Sequence, residues 1–133
     1  DNPLREGEGE ATSFNGNPYT FGFWKHQYAI AAKQWGEMWY AQDLWSGIKQ
    51  DADAFLSAGG CTNAEALLQT SSELKKALAT ATLNHAANRG IFEPYRKYAV
   101  KALQWARRVA CSASSTADQT LAEKLLNREN RAF

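Results

Sequence analysis

No stretch of this chain approaches the roughly 18 consecutive apolar residues that a membrane-crossing helix needs, so no membrane span is expected. Charge of one sign is also missing. The net charge of +1 lacks the basic excess of a nucleic-acid binder, and no nucleic-acid partner is expected. Alternating β-branched runs are absent, and the one hairpin-like dipeptide, Asn15-Gly16, stands among Gly, Pro and Glu near the start, so strands are not expected.

Residues that carry chemistry are equally scarce. The two histidines, His26 and His85, fall on different predicted helices and form no compact metal motif; a carboxylate such as Glu37 or Glu65 would join them only by tertiary convergence. No Ser or Cys stands in a Gly-rich elbow beside a base, so no catalytic residue is assigned and an enzyme is not expected. No phosphate loop, dinucleotide fingerprint, EF-hand or haem CxxCH occurs, and no cofactor or metal is expected. Cys61 and Cys111 have neither CxxC nor metal-ligand spacing, which leaves one disulfide or two buried thiols.

What the chain does have is aromatic surface. Phe21-Gly22-Phe23-Trp24-Lys25-His26-Gln27 opens a segment that runs to Trp45 and holds four of the five tryptophans: Trp24, Trp35, Trp39 and Trp45. Such a density of large rings predicts the anchor of a core. Trp24, Trp35, Trp39, Tyr40 and Trp45 cannot all point inward, because positions 39, 40 and 45 spread around a helix, so some of these rings are expected at the surface, with Trp35, Trp39, Tyr40 and Trp45 the candidates for binding. Exposed rings suit a protein partner or stack on a carbohydrate.

At 133 residues, 44% hydrophobic and 22% charged, one globular domain is the expectation. Residues 1–19 read as an extended N-terminal arm, flexible or docking on a neighbouring subunit, and residues 20–133 as the domain. Thr20 is a candidate N-cap for a helix with Trp24, Tyr28, Ala31 and Trp35 on one face. A second helix fits Gln42–Ser57, with Leu44, Ile48, Ala52 and Phe55 inward, and Gly59-Gly60 stopping it.

Capping boxes open at Thr62, Thr70 and Ser115. The first starts a short helix with Leu67 and Leu68, and the second a helix with the stripe Leu74, Leu78, Ala81 and His85. The third starts a last helix packing Leu121, Leu125 and Leu126 inward. Between the last two, Pro94 begins a helix to about Ser112, with Tyr98, Ala102, Trp105 and Val109 inward. Its opposite face carries Lys97, Lys101, Gln104 and Arg108. The fold class is therefore all-α, a single compact domain of about six helices with an extended N-terminal arm.

Gly22-Phe23-Trp24-Lys25-His26 with a downstream Trp, then Thr62–Leu68, then Ala81-Thr82-Leu83-Asn84, resembles a group of secreted bacterial domains. Those domains read approximately G-[YF]-W-K-N-H-P…W, T-x-A-x-x-L-L and A-x-L-N. The resemblance spans Gly22–Arg108 and implies an extracellular or surface protein of no assigned activity. It also favours a Cys61–Cys111 bridge, because disulfides persist in oxidising compartments. His26 stands two positions after Trp24 where the pattern has three, a rotation of about 100° on a helix. No role is therefore carried onto His26.

The chain opens on Asp1 without an initiating Met, as expected of a processed mature form or a trimmed chain. Charge is segregated along it. Residues 1–10 hold Asp1, Glu6, Glu8 and Glu10 against Arg5, whereas Arg89–Arg108 holds six basic residues and only Glu93. The function expected is that of a secreted or cell-surface structural or interaction protein. It would self-associate through the arm, exposed aromatics and the basic residues Lys97, Lys101 and Arg108. A carbohydrate- or small-ligand-binding module with an aromatic groove is the alternative.

Overall fold

A helix that lies at the centre of a bundle has no solvent face, and small side chains let its neighbours approach from every side. Ala77-Leu78-Ala79-Thr80-Ala81-Thr82-Leu83 has that composition. In a computed structural model, which describes residues 18–31, 42–87 and 96–131, every residue from Ala77 to His85 is buried. The described residues form six helices and no strand: α1 (Phe21–Ala31), α2 (Gln42–Ala58), α3 (Ala64–Leu68), α4 (Glu73–Ala86), α5 (Arg96–Cys111) and α6 (Thr116–Glu129).

α4 packs against each of the other five. The one-sided stripe expected on it is thus replaced by burial all round. Its two interior threonines turn their hydroxyls back onto the helix. Thr80 Oγ1 donates to the Lys76 carbonyl at 2.9 Å and Thr82 Oγ1 to the Leu78 carbonyl at 2.7 Å, so neither brings an unmet polar group into the core.

Short polar side chains fix the helix starts. Thr20 Oγ1 accepts from the Phe23 amide, as an N-cap should, and Ser115 Oγ accepts from the Asp118 amide at the head of α6. The other two caps sit later than the boxes predict. Asn63 rather than Thr62 caps α3, accepting from the Ala66 amide, and Ser72 rather than Thr70 caps α4, accepting from the Lys75 amide. Thr70 instead donates its hydroxyl to the Leu67 carbonyl. In runs of Ser, Thr and Asn each residue is a competent cap, and packing selects among them.

At the end of α2, Gly60 takes a left-handed φ of 94°. The Gly60 amide bonds the Ser57 carbonyl and the Cys61 amide reaches back to the Leu56 carbonyl, the pattern of a Schellman stop. A side chain at Gly60 would hold this left-handed turn only under strain.

Two inward faces differ from the expectation. On α5 the buried residues are Val100, Leu103, Ala106 and Val109, with Ala102 and Trp105 half-buried, so the inward face is turned by about one residue from the predicted stripe, with Val109 common to both. On α6, Leu126 and Ala122 are buried and Leu125 half-buried, while Leu121 is 49% exposed. α2 buries Ile48, Ala52 and Phe55 as expected.

Candidate functional site

Trp24 and Trp45 are both fully buried, stacked with ring centroids 5.9 Å apart, and Tyr28 meets Trp45 edge-on at 5.1 Å. Trp45 is therefore a core residue, which corrects its placement in an exposed aromatic set. Trp35, Trp39 and Tyr40, also expected in that set, lie outside the described residues, as does residues 1–17 of the arm. Phe21 borders an open groove of about 550 Å³ shared with Thr20, Lys76, Thr80, Asn130 and Arg131. The ammonium groups of Lys25 and Lys76 stand over the Phe21 ring at 5.6 and 5.5 Å, so the protein's own cations occupy the position a stacked sugar would take.

A polar cluster that sequence reasoning missed ties the chain's entry to the bundle. Asn84 Oδ1 accepts from the Tyr19 amide at 2.8 Å and from Trp24 Nε1 at 3.1 Å, while Asn84 Nδ2 donates to the Tyr19 carbonyl at 2.9 Å and to Asn130 Oδ1 at 3.5 Å. One buried side chain thus satisfies both backbone groups of Tyr19 and the indole of Trp24. Asn130 Nδ2 donates in turn to the Ala77 carbonyl at 3.1 Å, which links the end of α6 to α4. The last two residues of the expected arm are held by the bundle: Pro18 is buried and Tyr19 is bonded to α4.

His85, 1% exposed, places Nε2 at 2.9 Å from Glu129 Oε1, where an N–H donates to the carboxylate. This agrees with its place on the inward stripe Leu74, Leu78, Ala81 and His85. His26 is exposed on α1. The signal for this cluster was the pair Asn84-His85 closing an otherwise uncharged helical run, since polar side chains at buried positions require partners.

Cys61 and Cys111 form a disulfide, Cα atoms 5.0 Å apart, which resolves the open choice between a bridge and two thiols. It joins the stop of α2 to the end of α5. Arg107 reinforces the same junction: its Nη1 donates to the Phe55 carbonyl at 3.0 Å and its guanidinium lies 4.2 Å from the Phe55 ring centre. A methyl group at Gly59 would stand 2.3 Å from Arg107 Cδ, so glycine there makes room for the arginine. A cation at a helix C-terminus is also favoured by the helix dipole.

Tyr28 presents a different case. Its hydroxyl is buried and no group among the described residues bonds it. Burial, reinforced by the Asp53 and Glu65 carboxylates, pushes its pKa well above the ordinary value for tyrosine. A raised folded-state pKa adds stability that is complete below the unfolded pKa of about 10 and is lost as pH rises beyond it. Tyr28→Phe is expected to leave stability at neutral pH unchanged or higher by up to about 1 kcal/mol, because no hydrogen bond is lost. It should also flatten the alkaline limb. Urea unfolding of both proteins at neutral pH and above pH ~10 checks this; an identical alkaline decline in the two would contradict it.

Of the basic residues expected on α5, Lys101 and Arg108 are exposed and neither makes an ion pair among the described residues. Lys97 falls within α5, its side chain outside the described set. Among the described residues no group of three or more His, Cys, Asp or Glu is placed to hold a metal ion, and no helix is long and apolar enough to cross a membrane. No protein-family model, curated protein or solved structure matches the chain.

Proposed function

We propose that this chain is a non-enzymatic structural or interaction protein, exported, that self-associates as a subunit of an extracellular or surface assembly. The observation that carries the reading is the outer face of α5. Lys101 and Arg108 stand exposed and make no ion pair among the described residues, in a chain whose opposite charge excess is concentrated in residues 1–10. Complementary charge at two separate places on one molecule favours heterologous, head-to-tail contact, and such contacts build open filaments when their symmetry does not close.

Cys61, Cys111 and His85 have structural roles. Both cysteines are consumed in the disulfide, and His85 is buried against Glu129. The disulfide also supports export, since such bonds persist in oxidising compartments.

Deletion of residues 1–17, measured by light scattering against the full chain, tests the reading. The deletion stops before Pro18 to spare the contact between Tyr19 and Asn84. The full chain is expected to scatter above the 14.8 kDa of one copy and the shortened chain as a monomer of unchanged helix content. Equal association of the two forms, or a monomer in both, would sink it.

A further inference from the structure

Charge alone does not explain the arrangement of α5. Trp105 is half-buried, packed in part against the core, and positions 101, 105 and 108 fall within about 60° of arc on the side away from Val100, Leu103 and Ala106. The two cations stand about 10 Å apart along the axis with the indole between them. A partly exposed tryptophan flanked by cations that make no ion pair among the described residues has the composition of a binding hot spot, in which Trp and Arg are the enriched residues.

The acidic stretch has a matching pattern. It reads Glu6-Gly7-Glu8-Gly9-Glu10, strict alternation of carboxylate and glycine. In an extended chain alternate residues share one side, so the three carboxylates would line up at about 7 Å intervals, a span of roughly 13 Å from first to last. That span covers the separation of Lys101 and Arg108 within the reach of their side chains. Glycine at positions 7 and 9 leaves the backbone bare on its other side and free to approach a ring closely.

We propose that the Glu6–Glu10 segment of a second copy docks along this face, its carboxylates paired with Lys101 and Arg108 and its backbone lying against Trp105. The proposal rests on the self-association reading and names both sides of the contact.

Complementation between full-length chains tests it. A chain with E6K, E8K and E10K keeps the native face, and a chain with K101E and R108E keeps the native acidic segment. Each alone is expected to lose roughly a hundredfold in self-association constant, and a 1:1 mixture to recover association. Trp105→Ala is expected to lose roughly tenfold or more without altering the salt dependence. Lys101 and Arg108 are exposed, so their reversal should lower the melting temperature by no more than a few degrees, Arg108 losing its favourable place in the last turn of α5; if Trp105→Ala unfolds, the charge exchange carries the test alone.

Variants that associate as the parent does, or a mixture that stays monomeric, would overturn this docking while leaving self-association standing through another surface. A parent chain that is itself monomeric, including one whose segment binds its own face, would overturn both.

Discussion

Replacing Cys61 and Cys111 together by serine lowers the melting temperature by about 10–15 °C. The bridge closes a loop with a sequence separation of 50 residues, and the chain-entropy model assigns such a loop about 4 kcal/mol of stabilisation through restriction of the unfolded ensemble. For a chain of this length each kcal/mol moves the midpoint by roughly 3–4 °C. Calorimetry of the double variant beside the parent in reductant is the check. Because the cross-link rather than the side chains supplies the effect, the reduced parent should melt with the variant. If reduction leaves the midpoint in place, the bridge contributes nothing and the junction of α2 with α5 is held by Arg107 and packing alone.

Asn84→Ala is expected to cost about 3–4 kcal/mol. The substitution removes the Asn84 hydrogen bonds to the Tyr19 amide, the Tyr19 carbonyl and the Trp24 indole N–H, and each hydrogen bond lost from a buried or half-buried group costs on the order of 1 kcal/mol. Asn84→Asp separates this account from simple loss of packing. An ionised carboxylate still accepts from Tyr19 and Trp24, but it turns a lone pair toward the Tyr19 carbonyl and Asn130 Oδ1, where the native amide donates.

Protonation would restore one donor, so the pKa of Asp at this position is raised in the folded state. Its contribution is then present below the unfolded pKa of about 3.9 and lost as pH rises above it. Relative to the parent at each pH, Asn84→Asp should thus be less destabilised in acid than at neutrality. Denaturant titrations at both values decide; a deficit independent of pH would remove the hydrogen-bond explanation.

Local signals in the sequence reached far into the fold, and their failures have physical causes. Periodicity placed α2 nearly to the residue, and Gly59-Gly60 marked its stop, because a left-handed turn admits few side chains besides glycine. Cap identity was harder, since Thr62 and Asn63, or Thr70 and Ser72, are equivalent by local chemistry. The phase of α5 differs from the stripe that includes Trp105: a large ring argues for burial, yet Val100, Leu103 and Ala106 fit the close approach to α4 and α6 better.

Leu121 shows the same limit from the other side, an apolar residue at helical spacing left 49% exposed. The aromatic segment does supply the Trp24–Trp45 stack, but the chain is organised around α4, whose alanines and threonines give no amphipathic signal. In the candidate site, Lys101 and Arg108 were legible as a basic face from spacing alone. The Asn84 clamp was not, because its partners Tyr19 and Asn130 are 65 and 46 residues away in sequence.

Sedimentation velocity of the full chain over roughly a hundredfold range of concentration, at low and at high salt, tests the central claim most directly. The account predicts a sedimentation coefficient that rises with concentration at low salt and falls back toward the 14.8 kDa monomer at high salt. A single monomeric species throughout would contradict it.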